Sequence, residues 1–203
     1  MKKLSIVLLL TISFVTITYA STAKPWWVNI GTGIVHGNDI TDNCARLYPP
    51  NIIENRCRNI RSNDFWKADN FILSYNLMPK KNRLFTANYV ESDYNKSISS
   101  AVGTVKETGY INAISVEYGL IQRWQHGYLS GTIGPAFVSS RSAHDNQELF
   151  PPSSHAGAGL SGKFEASVTP FRYIGFALTL IGNYNGNMPY YGIFLSLQFG
   201  RFW

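Results

Sequence analysis

The chain has 203 residues and a formal charge of +6, a length that suits a single domain. Beyond its N-terminus no segment reaches the roughly 20 apolar residues of a helical membrane span. It has no basic stripe, and the export signal described next places it away from nucleic acid.

Lys2 and Lys3 precede an apolar run from Leu4 to Thr18, and Thr18-Tyr19-Ala20 has the small-x-small form of a cleavage site. This predicts a signal peptide over 1–20, cut after Ala20, and one domain over 21–203. The alternative is an N-terminal anchor, for which the apolar run is short. No cysteine follows the run, which argues against lipoprotein processing. Removing Lys2 and Lys3 leaves a charge of +4 on the exported chain.

Seven short runs of period two follow, then an eighth at the end; period two marks a strand with two unlike faces. The first, about 26–36, sets Val28, Ile30 and Ile34 against Asn29, Gly31 and Gly33. The second, 70–78, sets Phe71, Leu73, Tyr75 and Leu77 against Asn70, Ser74 and Asn76. The third, 83–91, carries Phe85, Ala87 and Tyr89 on one face. The fourth, 110–121, sets Ile114, Val116, Tyr118 and Leu120 against Ala113, Ser115, Glu117 and Gly119. In the fifth, 128–138, Leu129, Ile133 and Phe137 share a face, and Pro135 predicts a bulge because it lacks a ladder donor. The sixth, 159–168, sets Leu160, Phe164, Ala166 and Val168 against Ser161, Lys163, Glu165 and Ser167. The seventh, 173–183, sets Ile174, Phe176, Leu178 and Leu180 against Gly175, Ala177, Thr179 and Asn183. The eighth, 190–203, alternates to its last residue, Trp203.

Connections at 79–82, 122–127 and 169–172 are short, whereas 37–69, 92–109 and 139–158 are long. Short periplasmic turns and long outer loops are the pattern of an outer-membrane barrel, and an even strand count leaves both termini periplasmic. The bulky faces are apolar and the opposite faces small or polar. The chain therefore reads inside-out, with its polar face toward a lumen and its apolar face toward lipid. The expected fold is an all-β, eight-stranded, antiparallel, up-and-down transmembrane β-barrel; a ten-stranded form with a hairpin inside 37–69 is the alternative. Trp26, Trp27, Trp124 and Trp203 fall near the periplasmic ends and are expected in an interfacial girdle. A barrel of eight strands is about filled by its own side chains, which excludes a general porin.

Few residues invite chemistry. Glu117, Lys163 and Glu165 share the polar face and are expected to form a lumenal network: a satisfied plug, a path for protons or ions, or the seat of a catalytic carboxylate. Cys44 and Cys57, both in the first long loop, predict a disulfide in an oxidising compartment. Arg56, Arg58 and Arg61 sit in a basic, aromatic stretch suited to anionic surface groups such as lipopolysaccharide phosphate. Pro79-Lys80-Lys81-Asn82 reads as a solvated hairpin. His36, His126, His144 and His155 have no metal-ligand spacing, and Ser153-Ser154-His155 lies in a Pro/Ser/Gly-rich stretch that does not hold a catalytic group rigidly. No cofactor or metal is expected.

The leader, the strand cadence and the final strand YYGIFLSLQFGRFW resemble small bacterial outer-membrane β-barrel proteins over the whole exported chain. That resemblance implies an outer-membrane location and a monomer. It also implies lipid and lipopolysaccharide as surroundings, and barrel-insertion machinery that reads Phe199 and Trp203. Outer-membrane lipid A deacylases share the eight-stranded form and carry His-x-Ser on the seventh strand and Glu on the eighth. Here the matching stretch is Ile181-Gly182-Asn183-Tyr184-Asn185, and the last strand has no Glu, so their chemistry does not carry over. The expected role is structural, or surface interaction through outer loops. A lipid-modifying enzyme and a narrow channel for small solutes are the alternatives.

Overall fold

The structure, a computed structural model, describes residues 24–37, 67–100, 103–144, 153–185 and 189–202. Eight strands make up the wall: β1 (Trp26–Gly37), β2 (Lys67–Lys80), β3 (Arg83–Ser100), β4 (Gly103–Trp124), β5 (Gly127–His144), β6 (Ser153–Val168), β7 (Ile174–Tyr184) and β8 (Tyr190–Arg201). Each pairs antiparallel with its sequence neighbour. The wall then closes through β1 and β8, in register from Trp26↔Arg201 to Gly37↔Tyr190. Closure gives every strand two partners, so backbone donors and acceptors are satisfied without water. At the seam the strands lie close: a Cβ on Gly200 would come within 2.3 Å of the Trp26 carbonyl oxygen.

Both ends of the wall, Trp26 and Arg201, lie at the end that carries the turns at 81–82, 125–126 and 169–173. We call this the terminal end and its opposite the distal end. The alternation seen in the sequence sets the faces. On β7, for example, Ile174, Phe176, Leu178 and Leu180 are exposed while Ala177, Thr179, Ile181 and Asn183 are buried.

Several expectations need correction. The ten-stranded form is overturned, because β1 pairs directly with both β2 and β8 and no place in the wall is open. The loop expected over 92–109 is mostly strand: β3 and β4 pair without interruption out to Ser100↔Gly103. The stretch 153–158 likewise belongs to β6. No bulge forms at Pro135. Ser115↔Ala136 and Tyr118↔Ile133 bracket two residues on each strand, so the lost donor leaves a gap in the ladder rather than an extra residue. Gly134 makes room for this, since a Cβ there would sit 2.1 Å from the Val116 carbonyl oxygen. The register shifts lie elsewhere, between Gly33 and Val35 on β1 and between Leu77 and Lys80 at the β2–β3 turn.

The expected disulfide is also corrected: among the described residues there is neither a disulfide nor a free cysteine. Cys44 and Cys57 lie outside those residues. An oxidising compartment permits a bridge, but only two Cβ atoms a few ångströms apart can form one.

Candidate functional site

The lumen is filled in three layers. At the terminal end Trp27, Met78, Leu84, Ile121, Tyr128 and Phe202 form an apolar cluster. Trp27 packs its ring 5.0 Å from that of Tyr128 and 5.6 Å from that of Phe202. Trp27 is 1% exposed, which corrects its expected place in the lipid girdle: it shares the inward parity of Asn29. Toward the distal end Val35, Ile72, Val90, Ile111, Val138, Ile181, Tyr190 and Phe194 belong to a second apolar cluster.

A polar layer lies between the two, and it contains Glu117, Lys163 and Glu165, all within 3% of full burial. The Lys163 ammonium is 3.4 Å from a Glu165 carboxylate oxygen. It also donates to Asn76 Oδ1 and Thr86 Oγ1, each at 3.0 Å. Glu165 accepts further bonds from Asn29 (2.7 Å), Thr179 (3.1 Å), Gln198 (3.2 Å) and the Tyr128 hydroxyl. Gln198 in turn donates to Asn29 Oδ1 at 3.0 Å and accepts from Ser167. Such a surround offsets the desolvation of a buried pair, which Coulomb attraction alone often does not.

Glu117 sits apart from the cation. It accepts from the hydroxyls of Thr132 (2.6 Å), Ser161 (2.7 Å) and Ser115 (2.8 Å). The two centres join through a chain of hydrogen bonds: Asn88 donates to Ser115 at 3.0 Å, Thr86 to Asn88 at 3.3 Å, and Lys163 to Thr86. Chemically this is a dense hydrogen-bonded network between apolar layers, in which the buried Asn76 Nδ2 has no hydrogen-bond partner among the described residues. The carboxylates are occupied as acceptors and the ammonium as a donor. Asn29, Tyr128 and Gln198 were missed as members of the network. Strand parity would have found them, since each stands on the inward register of its strand.

The outer face is the reverse. Ile114, Val116, Tyr118 and Leu120 point outward from β4, between outward Asn112 and Gln122. Ten residues of strand rise about 33 Å, or about 25 Å of height at a tilt near 40°. That equals the height of a lipid-facing apolar band. Trp124, Phe171 and Tyr173 are exposed at its terminal edge, and Tyr184 and Tyr191 at its distal edge, where aromatic girdles sit. At the upper edge Tyr89 donates to Glu91 and Asn112 at 3.0 and 3.1 Å.

Beyond that edge the wall is uneven. On one side β1 ends at Gly37, β7 at Tyr184, and β8 begins at Tyr190. On the other, β3, β4, β5 and β6 continue as a sheet, paired out to Ser100↔Gly103, Glu107↔His144 and Ser142↔Ser153. From Asn112 to Gly103, β4 runs on for about 30 Å. The recorded β2–β3 pairs stop at Phe71↔Glu91 and the β6–β7 pairs at Leu160↔Tyr184. Among the described residues no strand therefore pairs with the outer edges of β3 and β6.

The remaining site expectations fall as follows. Ser154 and His155 are consecutive on β6 and point to opposite faces, which separates them as a catalytic pair. Among the described residues no group of three metal-binding side chains forms a cluster. Phe199 is exposed on the lipid face of β8. The neighbouring Phe202 turns inward, and its carbonyl accepts from the Arg123 guanidinium. Arg56, Arg58, Arg61 and Trp203 lie outside the described residues, as does the expected signal peptide.

A closed eight-stranded wall with a polar, filled lumen and an apolar belt is a membrane-spanning barrel of the small outer-membrane type. No family model and no curated protein sequence matches the chain. Solved structures do. Ail, the attachment invasion locus protein of Yersinia pestis, aligns with a TM-score of 0.55 at 12% identity, over 89% of this chain and all of that one. A second structure of Ail, in complex with the heparin analogue sucrose octasulfate, aligns with the same TM-score at 11% identity and the same coverage. Neisserial surface protein A, NspA, aligns with a TM-score of 0.52 at 10% identity, over 86% of this chain and 96% of that one. At these identities the likeness is one of fold.

Proposed function

We propose that this chain is a bacterial outer-membrane protein that, after loss of residues 1–20, acts at the cell surface as a rigid post. The barrel anchors it as a monomer, and the raised β3–β6 sheet, with the loops around it, makes contact outside the cell. The observation that carries this reading is the raised sheet. A barrel needed only for membrane integrity gains nothing from four strands extended beyond the apolar belt. Both termini would be periplasmic, with Phe199 and Trp203 serving the insertion machinery.

Arg56, Arg58 and Arg61 belong to the same reading as contacts for anionic surface groups, lipopolysaccharide phosphate among them. One solved barrel of this fold is named for attachment and invasion and was crystallised with a polyanion, and another is named a surface protein. The apolar layers above and below the lumenal network speak against a channel. The absence of the deacylase residues speaks against that enzyme chemistry.

The test compares cells displaying the full chain with cells displaying a form whose β3–β4 hairpin is shortened by removing residues 96–106. Both should retain heat-modifiable gel mobility, the mark of a folded barrel. Adhesion to immobilised heparin and matrix protein should fall only in the shortened form. Equal adhesion would overturn the proposal, as would a lipid A mass spectrum altered by expression of the chain.

A further inference from the structure

Outside the lumen, the charges on the described residues fall toward the two ends. Lys24, Lys80, Lys81, Arg83 and Arg172 are exposed at the terminal end, and Arg201 is half-buried there. They belong to the entry into β1, the β2–β3 turn, the β6–β7 turn and the end of β8. No Asp or Glu occurs at this end among the described residues. Glu91, Asp93 and Arg141 lie on the distal side instead.

Three features identify what the rim faces. It runs from the β2–β3 turn, which holds Lys80, Lys81 and Arg83, through the β1–β8 seam to the β6–β7 turn, so its counterpart borders the barrel over most of its circumference. It lies at girdle depth, beside exposed Trp124, Phe171 and Tyr173. Two of its guanidiniums lie over outward-facing rings, Arg172 at 5.4 Å from the centroid of the girdle residue Tyr173 and Arg83 at 6.0 Å from that of Tyr118 in the belt. A cation over an interfacial ring is held at headgroup level while its donors remain available. No Asp or Glu among the described residues lies beside Lys80, Lys81, Arg83 and Arg172, and a surrounding layer of anions relieves the repulsion among such cations.

We infer that the terminal rim is a recognition surface for the anionic headgroups of phospholipids in the leaflet it meets. Lysines supply point charges to the phosphodiesters, and Arg83 and Arg172 supply planar donor forks. The inference rests on the chain being a membrane-spanning barrel. Heat-modifiable gel mobility tests that premise separately.

The experiment uses the full chain in phosphatidylcholine vesicles containing spin-labelled phosphatidylglycerol or spin-labelled phosphatidylcholine. Their relative association with the barrel is read by electron paramagnetic resonance. At low salt phosphatidylglycerol should be preferred. The preference should collapse at about 1 M salt, where the Debye length is about 3 Å. It should also drop at least about fivefold, the effect of roughly one near-surface cation, in the variant carrying Lys80→Gln, Lys81→Gln, Arg83→Gln and Arg172→Gln. Arg141→Gln, on the distal side, should leave it unchanged.

Equal association of the two lipids at low salt overturns the inference, and so does a preference that survives the fourfold change. Binding of soluble polyglutamate without any lipid preference overturns it in favour of an acidic periplasmic partner. Should the fourfold variant not fold, Lys81→Gln in the exposed turn carries the test, with a smaller drop expected and no drop counting against the inference.

Discussion

On β6, alternate residues live in two different solvents. Ser161, Lys163, Glu165 and Ser167 face the lumen and are at most 3% exposed, whereas Leu160, Phe164 and Val168 face outward and are about half exposed or more. One strand thus carries a charged lumenal face and a lipophilic outer face, some 3 Å apart along the chain. The contrast shows that burial and apolarity are uncoupled in this fold. Inside, stability comes from donors and acceptors that match. Outside, it comes from the absence of any group that needs water.

Three changes would break that contrast, in falling order of cost. Lys163→Met leaves Glu165 buried without its cation and should cost about 3–5 kcal/mol, read by urea unfolding of the refolded barrel. Adding Glu165→Gln should recover part of this, because the uncompensated charge is gone even though Asn29 and Thr179 lose an acceptor. A cost for Lys163→Met below about 1 kcal/mol would mean that the pair is not desolvated. Phe164→Arg puts a charge near the middle of the apolar belt and should cost about 2–4 kcal/mol, against about 0–1 kcal/mol for Phe171→Arg at the terminal edge. Equal costs would show that the belt is misplaced. Ser161→Ala removes one of three hydroxyl donors to Glu117 and should cost about 1–3 kcal/mol, while Ser154→Ala on the exposed face should stay within about 0.5 kcal/mol.

Legibility followed the same division of environments. Where one face meets lipid and the other a packed lumen, the residues alternate strongly, and the strands through Ile114–Leu120 or Ile174–Leu180 could be read directly. Above the membrane a strand has no lipid to face, so nothing demands the alternation. Ser92–Ser100 and Ser153–Ala158 therefore read as loop although they are strand. Trp27 leaves the girdle for a different reason: its place near a strand end suits a girdle, but parity sets it beside Asn29 in the lumen. The Lys163–Glu165 pair was legible because a spacing of two on a strand puts both on one face. The separation of Glu117 from Lys163 was not, because it depends on the register of β3, β4, β5 and β6 together.

The sequence by itself determined the inside-out faces of the eight strands it marked and the membrane they suit, because period two and residue polarity are local properties. Only the tertiary structure decided the β1–β8 seam, the three-layered lumen and the raised sheet. Each of these depends on which strands meet and how far their pairing continues, and a strand's own residues record its faces but not the reach of its partners.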